Sequence, residues 1–432
     1  MKSIKKALSL LCIMLMLISV LSACEKKQAS NENAQQQQSE QQQVQEQKKV
    51  EIAFWEQDEA NARQVLDNLI AEFQSQNPNI TIKRTHFETE DLRKNFTSAS
   101  LGTTGPDIVL GPNDNLGVFV PGNLVQPTED IMGEDFFKNF DQVALAAAKY
   151  YGKQYMIPDR NGNELCLLYN KKLVPEAPKT FEELISISKK LQSEKKVQYG
   201  LAFNKVEPFF TVPFLGAFGG QVFDDVNSQS PKATLDTPAM LEWAKFLVKL
   251  QNDKIIPKEA DYDVASNLFK EGKVAFLING PWEFGTYVKA GMDLGICPIP
   301  SINGRYPAPY SAVKGYCISA SVTDPDKKAA VKKFLEFVNS KDAQLKMVDA
   351  HKQLPTNIEA LQDSKITSDP MIAAQKAQLE KCIPMPIITQ MRAVWDAMKP
   401  VQQELFAGKI KPEDAPKKMQ QKAEEGIKAL GF

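Results

Sequence analysis

The chain has 432 residues, 43% of them apolar, and its 52 Lys and Arg nearly cancel its 53 Asp and Glu to leave a net charge of −1. That balance gives no electrostatic case for a nucleic-acid partner. Two His and six Cys without zinc-site spacing leave His-based catalysis and metal binding poorly supplied, so neither a metal nor a cofactor is expected.

In chain order, Lys2, Lys5 and Lys6 precede an apolar run from Ala7 to Val20, closed by Leu21-Ser22-Ala23-Cys24. A positive start, a short apolar stretch and small residues before a Cys read as a secretory signal over residues 1–23 cut before Cys24, the mark of a bacterial lipoprotein. The Cys24 thiol would carry the acyl chains, each buried CH₂ contributing about 0.8 kcal/mol to anchoring. An ordinary secreted protein with a Cys at that position is the blander reading. Residues 24–49, rich in Gln, hold almost no large apolar group and are expected to be a disordered tether. Roughly 380 residues remain beyond it, enough for two lobes with separate cores. Later apolar stretches are too short to span a bilayer, so the lipid is the expected anchor.

Regular structure is predicted to begin at Val50 with the strand Val-Glu-Ile-Ala-Phe-Trp. Val65, Leu66, Leu69, Ile70 and Phe73 then fall at helical spacing over 63–76, and Asn77-Pro78 stops that helix. A strand at 80–83, a helix near 91–100 and a strand at 107–110 complete a β-α-β-α-β rhythm, which predicts an α/β lobe with a largely parallel sheet. The same grammar recurs. Strands are predicted at 164–169, 197–203, 274–279, 291–298 and 315–320, and helices at 180–193, 238–252 and 324–339. Thr180 and Glu183 form a capping box, and the chain is mostly helical from Ser368 onward. Cys166, Cys297, Cys317 and Cys382 read as buried thiols, with one or two disulfides as the alternative.

Several stretches together resemble the maltose/maltodextrin-binding kind of extracellular solute-binding protein (family 1), the lipoprotein receptor of a carbohydrate ABC importer. They are Thr104-Gly105-Pro106-Asp107-Ile108, Leu168-Tyr169-Asn170-Lys171-Lys172-Leu173 with Pro178–Leu184, and Phe269–Ala275 with Asn279-Gly280-Pro281-Trp282. The resemblance runs from Val50 to the C-terminus and implies an α/β, two-lobe periplasmic-binding-protein-like (type II) fold with a hinge and an interlobe cleft. It places residues 50–161 and 315–365 in the first lobe, and 163–313 and 369–432 in the second. The implied function is binding of an oligosaccharide, malto-oligosaccharide or maltodextrin first, and its delivery to ABC permease subunits. The implied form is a monomer, lipid-anchored on the extracytoplasmic face of a Gram-positive cell membrane.

A sugar offers apolar C–H faces and a polar rim, and calls for aromatic planes and for carboxylates or amides. By resemblance, Trp282 and Trp395 stack, Tyr262 sits in the cleft, and Glu207 with Phe209 and Phe210 matches a Glu-Pro-Tyr-Phe block in which Phe209 replaces Tyr. Asp114 matches a hydroxyl-binding Asp, and Glu56, Gln57 and Asp58 lie where the family places ligand polar groups. Asn163 or Glu164 takes the acidic position of the first crossing, and Lys399 stands at a late-helix Arg. Gly111 replaces the first lobe's stacking Trp and Asn115 its neighbouring Arg, so the second-lobe platform is retained while the first-lobe reader is altered. Trp243, among Leu241, Phe246 and Leu250, is expected in the core. The alternatives are a receptor for another oligosaccharide, or a glycan-processing enzyme, for which no catalytic motif is present.

Overall fold

The computed structural model describes residues 48–432 except Thr103, Asn227 and Gln229, and the backbone alone of Thr89 and Glu90. Cys24, the signal run and the tether as far as residue 47 lie outside the described residues. The first part of the chain forms β1 (Val50–Glu56), α1 (Ala60–Gln76), β2 (Ile80–His86), α2 (Thr89–Leu101), β3 (Ile108–Pro112), β4 (Val125–Gln126), the pair β5 (Lys149–Tyr150) and β6 (Lys153–Gln154), and β7 (Ile157–Gly162). There follow β8 (Cys166–Asn170), α3 (Phe181–Ser193), β9 (Tyr199–Ala202), α4 (Pro238–Asn252), α5 (Tyr262–Lys270), β10 (Val274–Asn279) and β11 (Leu294–Cys297). The rest comprises β12 (Tyr310–Ser319), α6 (Pro325–Val338), α7 (Lys341–His351), β13 (Leu354–Pro355), α8 (Pro370–Leu379), β14 (Ile383–Pro384), α9 (Gln390–Phe406) and α10 (Ala415–Ala429).

Two sheets organise two lobes. The first has the order β13-β7-β12-β3-β1-β2, with β4 and β14 also paired to β12; the second has the order β11-β8-β10-β9. Alternation along each strand feeds a layer on either face. In the first lobe Ile52, Phe54, Ile108, Leu110, Tyr316 and Ile318 meet Leu66, Phe73 and Phe334 of α1 and α6. Val109, Val313 and Cys317 on the opposite face meet Phe96 and Phe119. In the second lobe Leu167, Phe276 and Ile278 pack on Trp243, Leu247 and Val394, while Cys166, Leu168 and Leu277 pack on Phe269, Phe284 and Tyr287.

The parallel grammar holds only where chain order is local. β1 pairs in parallel with β2 and β3, and β10 with β9. However, β12 runs antiparallel to β3 and β7, and β8 antiparallel to β10 and β11. Both sheets are therefore mixed rather than largely parallel. The antiparallel strands reach their sheets by crossing between lobes, so the right-handed helical crossover does not constrain their direction. The motifs have local reasons. Asp107 of the Gly-Pro-Asp-Ile turn accepts from the Ala53 amide at 2.8 Å and holds Lys327 at 3.0 Å, tying β3 to β1 and α6. Thr180 caps α3 through the Glu183 amide at 3.1 Å, but the Glu183 carboxylate turns back to the Lys179 amide at 2.7 Å rather than to that of Thr180.

β12 belongs to both lobes: Tyr310 and Ala312 lie in the second-lobe core, Tyr316 and Ile318 in the first. Beside it, β7 ends at Gly162 (φ +130°) and Asn163 (φ +55°) before the chain enters the second lobe. That φ is one that glycine alone adopts readily, and a Cβ there would also press on the side-chain ends of Gln375 at 2.6 Å and Glu164 at 2.8 Å. Away from this hinge the lobes touch closely. A Cβ on Gly285, in the helix Phe284–Lys289, would lie 1.8 Å from the Ala350 carbonyl of α7.

All four described cysteines are free thiols, Cys166 and Cys317 buried and Cys297 and Cys382 half-buried. Among the described residues no helix is long and apolar enough to cross a membrane. Trp243 is fully buried, and its indole donates to the Thr211 carbonyl at 2.9 Å. Trp243→Ala is expected to cost roughly 3–5 kcal/mol of stability, read from urea unfolding monitored by far-UV circular dichroism.

Candidate functional site

Three short segments of the second lobe bring its aromatic side chains together. A 3-10 turn at Pro208–Phe210 carries Phe209 and Phe210, α5 begins with Tyr262 under the Asp261 cap, and a second 3-10 turn at Pro281–Glu283 carries Trp282 directly beyond β10. Proline in the first position presets φ for both turns. The Trp282 ring folds back over Gly280, where a Cβ would lie 1.9 Å from it, so only glycine admits this rotamer. The Trp282 indole donates to the Tyr262 hydroxyl at 2.8 Å, which donates in turn to Glu283 Oε1 at 2.9 Å. Phe209 stands 6.5 Å from Trp282 between ring centroids, and Phe210 stands edge-on to Tyr262 at 6.1 Å. Phe209 and Trp282 are half-buried, each with part of its surface uncovered.

A second aromatic station is built on α9. Trp395 packs edge-on against Tyr310 at 6.1 Å, and Lys399, one turn further on, pairs with Glu207. Trp395 and Arg392 face Arg93, Asp114 and Gly117 of the first lobe across a narrow interlobe pocket. At this end the Thr389 hydroxyl donates to the Gly117 carbonyl at 2.8 Å. At the opposite end Asn61 of α1 donates to the Thr286 hydroxyl at 3.4 Å and accepts from Lys289 at 3.2 Å.

The polar loop after β1 is used differently from the sequence expectation. Glu56 is fully buried: Arg84 holds one carboxylate oxygen at 2.6 Å, and the Asp58 amide donates to the other at 2.6 Å, with His86 at 3.4 Å. Both of its oxygens are thus engaged within the protein, where they fix the loop. Asp58 pairs with Arg160, whose guanidinium also lies 3.4 Å from Asp159. Burial works to raise the Asp58 pKa, but Arg160 and Lys314 outweigh it and hold the carboxyl below its ordinary value. Burial pushes neighbouring Asp159 up to about 6 against the pull of Arg160. Gln57 remains: it is buried, and neither amide atom has a partner. Asn115 Nδ2 is also without a partner, and it would stand 2.8 Å from a Cβ on Gly111. Asn115 thus fills the room that a side chain at Gly111 would need.

Glu164 is buried beyond the first crossing, with Oε2 unpartnered, and half-buried Asn163 forms the left-handed turn before it. Two carboxylates outside the expected set lie near these segments. Glu59, the half-buried residue before α1, has its pKa raised to about 7 by burial first and then by the charge of Glu283. Glu283 adjoins Trp282 in Gly-Pro-Trp-Glu and could have been singled out on that ground. Glu59 carried no local signal beyond its place in a polar loop. No group of side chains suited to a metal ion occurs among the described residues.

A fold with two lobes on a shared strand, holding an aromatic and carboxylate cleft, defines a solute receptor. The chain belongs to the bacterial extracellular solute-binding proteins, whose family model matches residues 68–374. It is 30% identical over 354 residues to the maltotriose-binding protein of Pyrococcus abyssi, covering 81% of this chain and 76% of that one. Over 421 residues it is 25% identical to the galactooligosaccharide-binding protein of Bacillus subtilis, covering 95% and 94%. Its structure matches the maltose/maltodextrin-binding domain MalE from Bdellovibrio bacteriovorus bound to maltotriose, with a TM-score of 0.83, 38% identity, and coverage of 88% of this chain and 100% of that one. The family and these relatives are binding proteins, not enzymes.

The buried carboxyl at the crossing has a measurable signature. Burial raises the Glu164 pKa to about 8, against roughly 4.3 in an unfolded chain. Between those values the folded state keeps a proton that the unfolded state has lost, so Glu164 makes stability fall as pH rises through that window. In urea titrations at several pH values, Glu164→Gln is expected to gain stability over wild type progressively from about pH 5 to pH 8.

Proposed function

We propose that this protein is an extracytoplasmic receptor that closes its two lobes on a malto-oligosaccharide and delivers it to an ABC permease. The observation that carries the reading is the hydrogen-bonded run Trp282–Tyr262–Glu283 beside Phe209, an apolar plane with a carboxylate at its edge, which matches the amphipathic face of a glucosyl unit. Trp395 supplies a second plane, with Glu207, Lys399 and Asp114 on its polar side. In the first lobe Gln57 and Asn115 offer amide groups to sugar hydroxyls. Phe210 supports Tyr262, Asp58 orders the loop through Arg160, and Glu164 with Asn163 shapes the crossing. We place the lobe boundaries at 161–163, 313–315 and 365–369. The likeness to maltotriose-binding relatives favours α-linked glucans. The galactooligosaccharide-binding relative, together with Gly111 of this chain standing where the family resemblance calls for an aromatic plane, supports a different oligosaccharide as the second reading.

Trp282→Ala is expected to weaken maltotriose binding by roughly 2 kcal/mol or more, about thirtyfold, measured by calorimetric titration. An unchanged affinity would remove the Trp282 platform from the site.

We further propose that the chain is a lipoprotein held to the cell membrane through Cys24, acting as a monomer. A similar chain is a maltooligosaccharide ABC transporter solute-binding lipoprotein of Streptococcus pneumoniae, 28% identical over 310 residues, 68% of this chain and 70% of that one. Cys24→Ala is expected to leave a folded domain that washes off membranes; retention of this variant in the membrane pellet would refute the anchor.

A further inference from the structure

One buried amide joins the two aromatic stations of the second lobe. Gln402 lies on α9 two turns beyond Trp395 and one beyond Lys399, so the three side chains share a face of the helix. Gln402 is fully buried, and both ends of its amide are used. Nε2 donates to the Lys205 carbonyl at 2.8 Å, and Oε1 accepts from the Thr211 hydroxyl. Those two partners bracket the segment that carries Glu207, Phe209 and Phe210. α9 thus grips this segment at both ends through one side chain, while Lys399 pairs with Glu207 between them.

Both ends of the segment are anchored in turn. The Thr211 carbonyl accepts from the Trp243 indole at 2.9 Å, and its amide closes the 3-10 turn on the Pro208 carbonyl at 2.9 Å. The Lys205 ammonium donates to Gln251 and to the Pro257 and Lys258 carbonyls, and it stands 4.2 Å from the centre of the Phe406 ring at the end of α9. Gln251 also donates to the Phe406 carbonyl at 2.9 Å. At Gln402 a carbonyl acceptor and a hydroxyl donor must be met by one side chain, and a neutral amide does both. A hydrocarbon there would leave the two groups buried without partners. The spacing of sugar rings along a chain is set by covalent bonds, so two stacking planes serve one ligand only if their separation is fixed beforehand. We propose that Gln402 is a positioning residue for saccharide recognition: it holds Phe209, beside Trp282, at a set distance from Trp395, so that one oligosaccharide engages both stations. This role presupposes the proposed function, a saccharide lying across the two stations.

The test is a double-mutant cycle read by calorimetric titration of maltotriose, with circular dichroism to check that each variant is folded. Gln402→Met keeps the side-chain length and removes both hydrogen bonds. Thr211→Val removes one of them from the other side, and Thr211→Ser keeps it. Gln402→Met and Thr211→Val are each expected to weaken maltotriose binding about tenfold, and Thr211→Ser about twofold at most. In a Trp395→Ala background no second plane remains to be positioned, and Gln402→Met is expected to change the affinity about twofold at most. Equal losses with Trp395 present and absent would make Gln402 structural only and overturn the proposal; so would full affinity in both Gln402→Met and Thr211→Val. If Gln402→Met does not fold, Thr211→Val takes its place in the cycle. A wild type that binds maltotriose while the cycle is additive refutes the role of Gln402 alone, whereas a wild type that binds none refutes the proposed function and this role with it.

Discussion

A single strand buried in two cores at once is the constraint on which the rest of the structure depends. β12 is hydrogen-bonded to β7 over residues 312–316 and to β3 over 314–318, while Tyr310 and Ala312 toward its start are packed into the other lobe. Sliding it would disrupt both cores, because a one-residue slip exchanges the faces on which its side chains sit. The lobes can therefore rotate about this strand and the adjacent Gly162-Asn163 turn, but they cannot separate. Hinge motion of this kind absorbs the change at a few residues and leaves each core intact.

The same constraint explains where polarity collects. β1 is separated from β12 by β3 alone, and the loop that follows β1 reaches across to the crossing, where Asp58 pairs with Arg160 of β7. There Glu56, Asp58, Asp159, Arg160, Lys314 and His351 are all buried. Burying these groups is tolerated only because most of them are paired: Glu56 with Arg84, and Asp58 with Arg160. These pairs tie the loop down, and Gln57 within it is left buried without a partner. A rigid first-lobe surface facing a second-lobe aromatic platform is suited to gripping a ligand whose shape is fixed and whose rim is polar, since preorganised groups lose little freedom on binding.

The aromatic platform is itself built from turns rather than from regular elements. Phe209, Tyr262 and Trp282 come from stretches separated by up to some seventy residues of chain, each from a segment beyond a strand or at a helix start. Loops at the strand ends of α/β lobes are free to vary without harming the sheets, which is why binding residues gather there. Gly280 shows how narrow that freedom becomes at the platform, where the Trp282 ring occupies the space of a Cβ.

Alternation in β1 and β3, helical spacing in α1 and α4, and the turn before Asp107 all depend on neighbours within a few residues, and for these local elements the sequence alone was sufficient. Trp282, Tyr262 and Phe209 were expected together only through the family resemblance, and it is the tertiary structure that brings the three rings side by side. What the sequence could not settle was which polar groups remain available. Glu56 looked like Gln57 on the page, yet Arg84 from the next strand consumes it, whereas Gln57 is left without a partner. Strand direction was likewise decided by the lobe crossings, which turned two expected parallel sheets into mixed ones. Periodicity and propensity report short-range packing, but the desolvation and pairing of a charge depend on whatever the fold brings to within a few ångströms, however distant in sequence.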